Sequence, residues 1–437
     1  MRIGILAHVG NGNLGDEATV AALVRSARAR QPGSEIVVFS MDPEDTERRH
    51  GVRTVPIRRE AARRSKTQQA SDHASIPPAK LSQSPAGSLA RIRGRLRRMP
   101  LVYGFLQRMA RLGRAVRAAG LETIFLVRSF LVLIRLDRLI IAGGGQLGDY
   151  FGGPWGYPLT IFRWCALARL ARAKVAFVSV GAEPVHSPIS KRFFRWALAL
   201  ADYRSFRDEG SRRLMESVGA PPGSAVYPDV VHGLHPKIIT PRQPSVGPGL
   251  TVGLNPVPFF DCRYWAEHDE GVYERYVATL ASFASWLLDR NHRVLFFPTH
   301  IRADPWVIHD IQMVMKRTGI EGREDRILTP SVTSFDDLWT ALSLADVVVT
   351  SRFHGLIFSS LLERPMLALS YYRKMEELME RMGQDDYVLP ITTLDVDSLI
   401  GRFLALERDL TQARARLIDR RGEHLAALES QYDAVFR

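Results

Sequence analysis

The chain has 437 residues, which is too long for one hydrophobic core and indicates two domains. Its composition, 46% hydrophobic and 24% charged, is typical of an ordinary soluble globular protein. The net charge of +13 lies within residues 58–117, which hold 15 Lys and Arg against two acids, so the remainder is neutral. This uneven distribution excludes a protein-wide nucleic-acid surface, and we expect no nucleic-acid partner.

Cysteine usage and the N-terminus predict the compartment. Cys165 and Cys262 are far apart in sequence and fit reduced thiols of a cytoplasmic protein. The start, MRIGILAHVG, enters a strand pattern directly, so no signal peptide is expected. The longest apolar stretch, Leu121 to Ile134, is too short to span a bilayer. No cluster of Cys, His and acids has metal-ligand spacing, so we expect no metal site.

The first elements in chain order are a buried strand at residues 3–9, a helix at 17–30 and a strand at 35–40. A basic insertion at 58–120 follows, and residues 63–88 within it have the composition of a mobile segment. Residues 101–117 fit a helix with one apolar side and one arginine side. Two interpretations stay open: peripheral contact of 99–120 with an anionic membrane, or packing on the protein with a solvated basic face.

Strands and helices alternate again from residue 138, and residues 236–250 have the proline-rich composition of a linker. The pattern predicts an α/β protein with two Rossmann-like domains and parallel sheets. We expect an N-terminal domain at 1–235, a C-terminal domain at 251–390 and a helical tail at 391–437. The ligand cleft of such a pair lies between the domains, at the carboxyl ends of the strands.

Two similar glycine turns follow predicted strands, GNGNLGD at 10–16 and GGGQLGD at 143–149. Both match a dinucleotide-binding fingerprint, and Asp42 is placed as a ribose-binding acid would be. However, Asp16 and Glu17 occupy the first helical turn and would repel a pyrophosphate. They fit a helix cap, acceptors of sugar hydroxyls or a base, and a plain strand-to-helix turn is an equally weighted alternative.

Cationic and imidazole side chains gather at predicted strand ends. They are Arg207 with Asp208, His300 with Arg302 and Asp304, Arg352 with His354, and Lys374. Each alone has an ordinary structural explanation, but their convergence favours a site for an anion bearing phosphate or carboxylate. Neighbouring cations would lower the proton affinity of a histidine there, and a bound dianion would restore it.

At this point the sequence resembles the polysaccharide pyruvyltransferase family. The matching segments, in order along the chain, are GNLGDEA at 12–18, AGGG at 142–145, FRDEGS at 206–211, FPTH at 297–300 with Asp304, and SRFHGLIFSSLLERPMLALSYYRK at 351–374. Residues 58–120 have no motif counterpart. The resemblance implies a GT-B-like arrangement of the two domains and transfer of a pyruvyl unit from phosphoenolpyruvate onto two sugar hydroxyls, giving a ketal and phosphate.

The resemblance assigns roles residue by residue. His354 becomes the acid that protonates the donor's methylene carbon, and Asp16 and Glu17 the candidates for acceptor contact or base. The substrate-binding candidates are Arg207, Arg352, Lys374, His300, Asn13, Gly144 and Gly145. No cofactor is implied, since phosphoenolpyruvate is the donor substrate. The acceptor would be a sugar of a polysaccharide or lipid-linked glycan precursor at the cytoplasmic membrane face.

Three rival functions remain at this point. A nucleotide-sugar glycosyltransferase of GT-B type shares the expected architecture, and a fold does not distinguish the two activities. A membrane-bound scaffold without activity and a dinucleotide-dependent enzyme are the others.

Overall fold

The computed structural model describes residues 1–59, 100–150, 152–234, 249–265 and 267–436. The predicted mobile segment at 63–88 and nearly all of the predicted linker lie outside these residues. Among the described residues, two parallel sheets carry helices on both faces. The predicted α/β fold class is therefore confirmed.

The N-terminal domain is built on a seven-stranded sheet. Its strands pair in the order β3-β2-β1-β4-β5-β6-β7, always in parallel. The order reverses between β1 and β4, which makes their carboxyl ends the switch point where such sheets bind ligands. The strands are β1 Arg2–Leu6, β2 Glu35–Ser40, β3 Arg53–Pro56, β4 Arg138–Ala142, β5 Lys174–Val180, β6 Tyr203–Phe206 and β7 Ala225–Val226.

Six α-helices accompany this sheet in the described residues. They are α1 Leu14–Arg30, α2 Pro43–His50, α3 Pro100–Leu133, α4 Tyr157–Leu170, α5 Pro188–Ala199 and α6 Glu209–Ser217. Helix α3 contains the helix predicted at 101–117 and continues to Leu133 without a break. The predicted end of the insertion at residue 120 therefore falls inside a helix. Within the described part of the chain, no helix is both long and apolar enough to cross a membrane.

The C-terminal domain has a six-stranded parallel sheet in the order β10-β9-β8-β11-β12-β13. Its strands are β8 Thr251–Asn255, β9 Arg293–Phe296, β10 Ile327–Leu328, β11 Val347–Thr350, β12 Met366–Ser370 and β13 Val388–Pro390. Its helices are α7 Glu270–Asp289, α8 Asp304–Thr318, α9 Phe335–Ser343, α10 Phe353–Leu361 and α11 Arg373–Arg381, followed by α12 Val396–Arg408 and α13 Leu410–Phe436.

The last helix, α13, returns to the N-terminal domain. The buried side chain of Gln431 hydrogen-bonds Ser179 Oγ at 3.0 Å and Ser205 Oγ at 2.7 Å. Ser179 lies at an irregularity between β5 and β6 and has a φ of 46°, so the glutamine satisfies polar groups where the strand pairing shifts. The predicted helical tail thus connects the two domains.

A short backbone pairing joins the first glycine turn to the end of β9. Leu14 N–H donates to Thr299 O at 2.9 Å, and Ile301 N–H donates to Gly12 O at 2.9 Å. Asn13 and His300 form the antiparallel bridge between them. This pairing brings the N-terminus of α1 against the carboxyl edge of the second sheet, and the candidate site lies there.

Candidate active site

Arg352 stands where β11 passes into α10. The strand Val347–Thr350 is fully buried, and Arg352 N–H donates to Thr350 Oγ1 at 3.0 Å as the chain turns. Arg352 is the residue before the first helical turn. Its guanidinium forms an ion pair with the fully buried Asp304, with Nε 3.0 Å from Oδ1. Asp304 also accepts from the N–H groups of Thr299 and His300, both at 2.9 Å, so the pair joins two strand ends.

His354 follows in the first turn of α10, against α1. A Cβ at Gly15 would lie 2.0 Å from His354 Nδ1, so the ring packs directly on the glycine backbone. Nε2 is shielded from solvent and has no hydrogen-bond partner among the described residues. Burial lowers the pKa of His354 to about 4, with Asp229 opposing and Arg207, Lys374 and Arg352 reinforcing that shift. The imidazole is therefore neutral at pH 7.

Arg207 reaches the same point from the end of β6. Its guanidinium lies 4.2 Å from the Phe353 ring centroid and 3.4 Å from carboxylate oxygens of Asp208 and Asp229. The side chain is buried because Gly181 leaves room for it: a Cβ there would lie 2.4 Å from Arg207 Nε. Arg207 is therefore a fixed, neutralised cation between the two domains.

Lys374 approaches from α11 and forms an ion pair with Glu183, which follows β5. Its ammonium also lies 4.6 Å from the Tyr372 ring centroid. Burial lowers the pKa of Lys374, and Glu183 opposes this. The pair crosses the cleft, since one partner belongs to each domain.

Asp16 and Glu17 have different environments although they are adjacent. Burial raises the pKa of Asp16 to about 7, and Asn11 Nδ2 donates to its Oδ2 at 3.3 Å. Glu17 accepts from Gly10 N–H at 2.9 Å and lies 2.8 Å from His50 Nε2. Both Glu17 oxygens therefore hold the glycine turn, and Asp16 is the carboxyl group with a shifted pKa beside the cleft.

The remaining predicted residues shape the cleft. Asn13 caps α1, since its Oδ1 accepts from Gly15 N–H at 3.0 Å. At Gly144 a Cβ would lie 3.3 Å from Asp16 Oδ1, and at Gly145 3.0 Å from Glu183 Oε1, so this turn approaches both acids. Burial lowers the pKa of His300 to about 4, with Arg352 reinforcing the shift.

Three functional candidates were missed in the sequence. Glu183 and Asp229 neutralise Lys374 and Arg207. His8 lies 3.7 Å from Asp16 Oδ2, and burial lowers its pKa to about 4. Each follows a strand or precedes a short helical turn, which is the signal that could have found them. Within the described residues no group of His, Cys, Asp and Glu could hold a metal ion.

A sequence model described as polysaccharide pyruvyl transferase matches residues 13–372. The chain belongs to this family. The resemblance seen in the motifs is thereby confirmed, and so is the kind of enzyme that it implied. The matched range overlaps all five motif segments, from the first glycine turn to the segment 351–374, and Lys374 lies two residues beyond it.

Solved structures similar to this pyruvyl transferase confirm the GT-B-like arrangement. The S. aureus MnaA–UDP co-structure has a TM-score of 0.56 at 12% identity, covering 100% of this chain and 97% of that chain. UDP-GlcNAc 2-epimerase from Neisseria meningitidis, bound to UDP-GlcNAc, has a TM-score of 0.55 at 10% identity, and the match covers 100% of each chain. A glycosyltransferase from Rickettsia africae has a TM-score of 0.54 at 10% identity, and the match covers 100% of this chain and 98% of that chain. A comparison with curated proteins finds no match.

Proposed function

We propose that the protein transfers a pyruvyl group from phosphoenolpyruvate onto two hydroxyls of a sugar in a polysaccharide or glycan precursor, forming a ketal and releasing phosphate. The observation that carries this proposal is His354, a neutral buried histidine with an unpartnered Nε2, placed among Arg207, Arg352 and Lys374. An acid that must wait for an anionic substrate before taking up a proton needs this environment.

The three cations suit a donor that carries both phosphate and carboxylate. Arg352 presents a planar guanidinium for bidentate contact, and Lys374 supplies a compact charge. Both are engaged with carboxylates in the free protein. We infer that the donor competes with Glu183 for Lys374, because this pair is partly exposed, whereas Asp304 is fully buried and keeps Arg352 in place.

The chemistry follows from charge. A bound dianion raises the pKa of His354, which then donates its proton to the methylene carbon of the donor. The positive charge that develops at the neighbouring carbon is taken up by a sugar hydroxyl oxygen, whose proton goes to a base. A second hydroxyl then displaces phosphate, the proton of this hydroxyl passes to the departing phosphate, and the cations stabilise the charge on that group.

Asp16 is the proposed base on the acceptor side, since a carboxyl group with a pKa near 7 exchanges protons readily at neutral pH. We propose that Glu17 acts indirectly, by holding the turn that carries Asp16 and Asn13. The cytoplasm is the proposed compartment, because phosphoenolpyruvate is a cytoplasmic metabolite.

The test is an incubation with phosphoenolpyruvate and a panel of glycan acceptors, read by phosphate release and product mass. Product heavier by one pyruvate ketal, with no nucleotide sugar present, is the expected result. A strict requirement for a nucleotide sugar would instead assign the protein to glycosyl transfer. His354→Gln serves as the matched inactive control, since it preserves side-chain size and removes the acid.

A further inference from the structure

Helix α3 exposes an apolar stripe along its length. Six side chains share one face of the helix and are each between 50% and 64% exposed: Met109, Leu112, Val116, Ile124, Val127 and Leu131. Ile134, 49% exposed, continues this face just beyond the end of the helix. Every residue from Arg111 to Leu121 is exposed, so packing on the described residues does not explain the apolar face of this part. A stripe of this length is unusual on the surface of a soluble protein.

The C-terminal half of α3 packs on the N-terminal domain through a face other than the stripe. Ser129 and Leu133 are buried against the N-terminal domain, and Phe125 packs edge-on against Trp164 with ring centroids 6.5 Å apart. Packing thus uses one side of the helix, and Val127 and Leu131 remain outside. The stripe is therefore a second apolar face with no partner among the described residues.

The charged residues of α3 indicate which kind of partner the stripe would contact. Arginines flank the stripe at positions 108, 117 and 128, whereas Arg111 and Arg114 lie on the opposite side of the helix. The helix contains one acid, Glu122, and it is engaged by Arg163 at 2.7 Å and Arg59 at 3.3 Å. Long arginine side chains beside an apolar stripe suit a lipid surface, where their heads reach anionic headgroups.

An independent feature lies beside α3 on the same helical layer. Four rings form an outer aromatic patch: Trp155, Phe162, Phe193 and Trp196, with neighbouring centroids 5.4–6.1 Å apart. Trp155 is 68% and Trp196 43% exposed. Exposed tryptophans are typical of side chains that sit at the boundary between lipid and water.

One ring of the outer aromatic patch follows a glycine turn of the cleft closely in sequence. Trp155 belongs to the helical turn Gly153–Trp155, which closely follows the second glycine turn at the carboxyl end of β4. Lys191, Arg192 and Arg195 lie on α5 together with Phe193 and Trp196. The layer formed by α3, α4 and α5 is therefore apolar, aromatic and basic on its outer side.

We propose that this layer docks the protein onto an anionic phospholipid bilayer, with the α3 stripe and the outer aromatic patch entering the interface. Docking in this way presents the acceptor side of the cleft to substrates carried in the membrane. The contact is peripheral, held by apolar burial and by arginine–headgroup attraction.

Vesicle sedimentation of the full chain tests the proposal. We expect binding to phosphatidylcholine vesicles that contain phosphatidylglycerol, little binding to phosphatidylcholine alone, and weaker binding as salt is raised. Tryptophan emission should shift to the blue with the anionic vesicles, and Trp155→Phe with Trp196→Phe should remove most of that shift. No binding to the anionic vesicles, or equal binding to both kinds, overturns the proposal.

Variants locate the contact. Val127→Asp with Leu131→Asp, and separately Arg108→Glu, Arg117→Glu and Arg128→Glu together, should each weaken vesicle binding by more than about tenfold. Matched controls are Ile418→Asp, an apolar side chain 46% exposed on α13, and Lys316→Glu with Arg317→Glu on α8, which should bind as the original protein does.

Thermal unfolding checks that each variant folds. If the variant with aspartates at positions 127 and 131 does not fold, the triple Arg→Glu variant still tests the proposal. Unchanged binding in folded variants contradicts the proposal. Sedimentation velocity tests the alternative partner of this face, a second copy of the chain. Self-association that the aspartate pair abolishes, without vesicle binding in the original protein, would assign the layer to contact between two copies and overturn membrane docking.

Discussion

The imidazole of His354 lies against the backbone of Gly15, so that the proposed acid and the first turn of α1 meet across the cleft. A methyl group at position 15 would lie 2.0 Å from Nδ1 and 2.1 Å from Cγ. A glycine is therefore required at this position for a steric reason, since its own conformation is helical. The contact makes the position of the acid depend on the closeness of the two domains.

Gly15→Ala should displace the His354 ring and lower the turnover number at least about tenfold, with a loss of about 1–3 kcal/mol in the free energy of unfolding. Gly401→Ala is the matched control, because a Cβ at Gly401 in α12 meets nothing within 4 Å. That variant should retain full activity and gain up to about 1 kcal/mol of stability. Equal turnover in both variants would contradict the proposed position of the acid.

Donor binding should be accompanied by proton uptake. The pKa of His354 is about 4 in the free protein, so the ring is neutral at pH 6, and a bound dianion raises that pKa. Calorimetry of phosphoenolpyruvate binding in buffers of different ionisation enthalpy should reveal the uptake. His354→Gln should abolish it while His300→Gln retains most of it. Absence of uptake in the original protein would exclude His354 as the acid.

Glu183→Gln should strengthen donor binding by about fivefold to tenfold, because it frees the ammonium of Lys374 while preserving side-chain size. Lys374→Gln should weaken donor binding, and the double variant should resemble Lys374→Gln. Equilibrium titration with phosphoenolpyruvate measures all three. Weaker binding in Glu183→Gln would show that the glutamate helps to hold the donor.

Asp16 should make stability depend on pH in a defined direction. Its folded-state pKa of about 7 lies above the ordinary 3.8, so its contribution to stability is full below pH 4 and is lost as pH rises through 7. Asp16→Asn should therefore gain about 2–3 kcal/mol relative to the original protein between pH 5 and pH 8. Urea unfolding at the two pH values measures this difference, in which the other titrating groups cancel.

A difference between the two proteins that does not change with pH would contradict the raised pKa of Asp16. The same variant tests the proposed base. Activity of the original protein should rise as pH increases through about 7, and Asp16→Asn should have little activity at any pH. Full activity of the variant would assign the base elsewhere, with His8 as the nearest alternative.

The motif positions were predictable because parallel strands bring their carboxyl ends to one edge. His300, Arg352 and Lys374 each follow a strand of the second sheet and share its carboxyl edge as that rule requires, whereas Arg207 reaches Phe353 from the first sheet through the packing of the two domains. The distinction between Asp16 and Glu17 was not predictable. Successive helical residues point about 100° apart, and only the positions of His50 and Gly10 show which carboxylate is engaged.

Ion pairing was also beyond sequence reasoning. The sequence indicated cations available for an anion, whereas the structure gives Arg207, Arg352 and Lys374 carboxylate partners. Lys374 and Glu183 are 191 residues apart and belong to different domains, and Arg352 and Asp304 are 48 apart. No local pattern connects such residues, so the net charge of the site depends on the packing of the two sheets.

The sequence by itself determined the alternation of strands and helices and the placement of cations at strand ends, because each depends on local periodicity or residue chemistry. It predicts, from the same cations, an anionic class of ligand. The tertiary structure alone decided that the stripe on α3 is exposed, that His354 is buried against Gly15, and that the glycine turn pairs with the end of β9. Burial depends on what the rest of the chain covers, and it controls both the proton affinity of a histidine and the availability of an apolar surface.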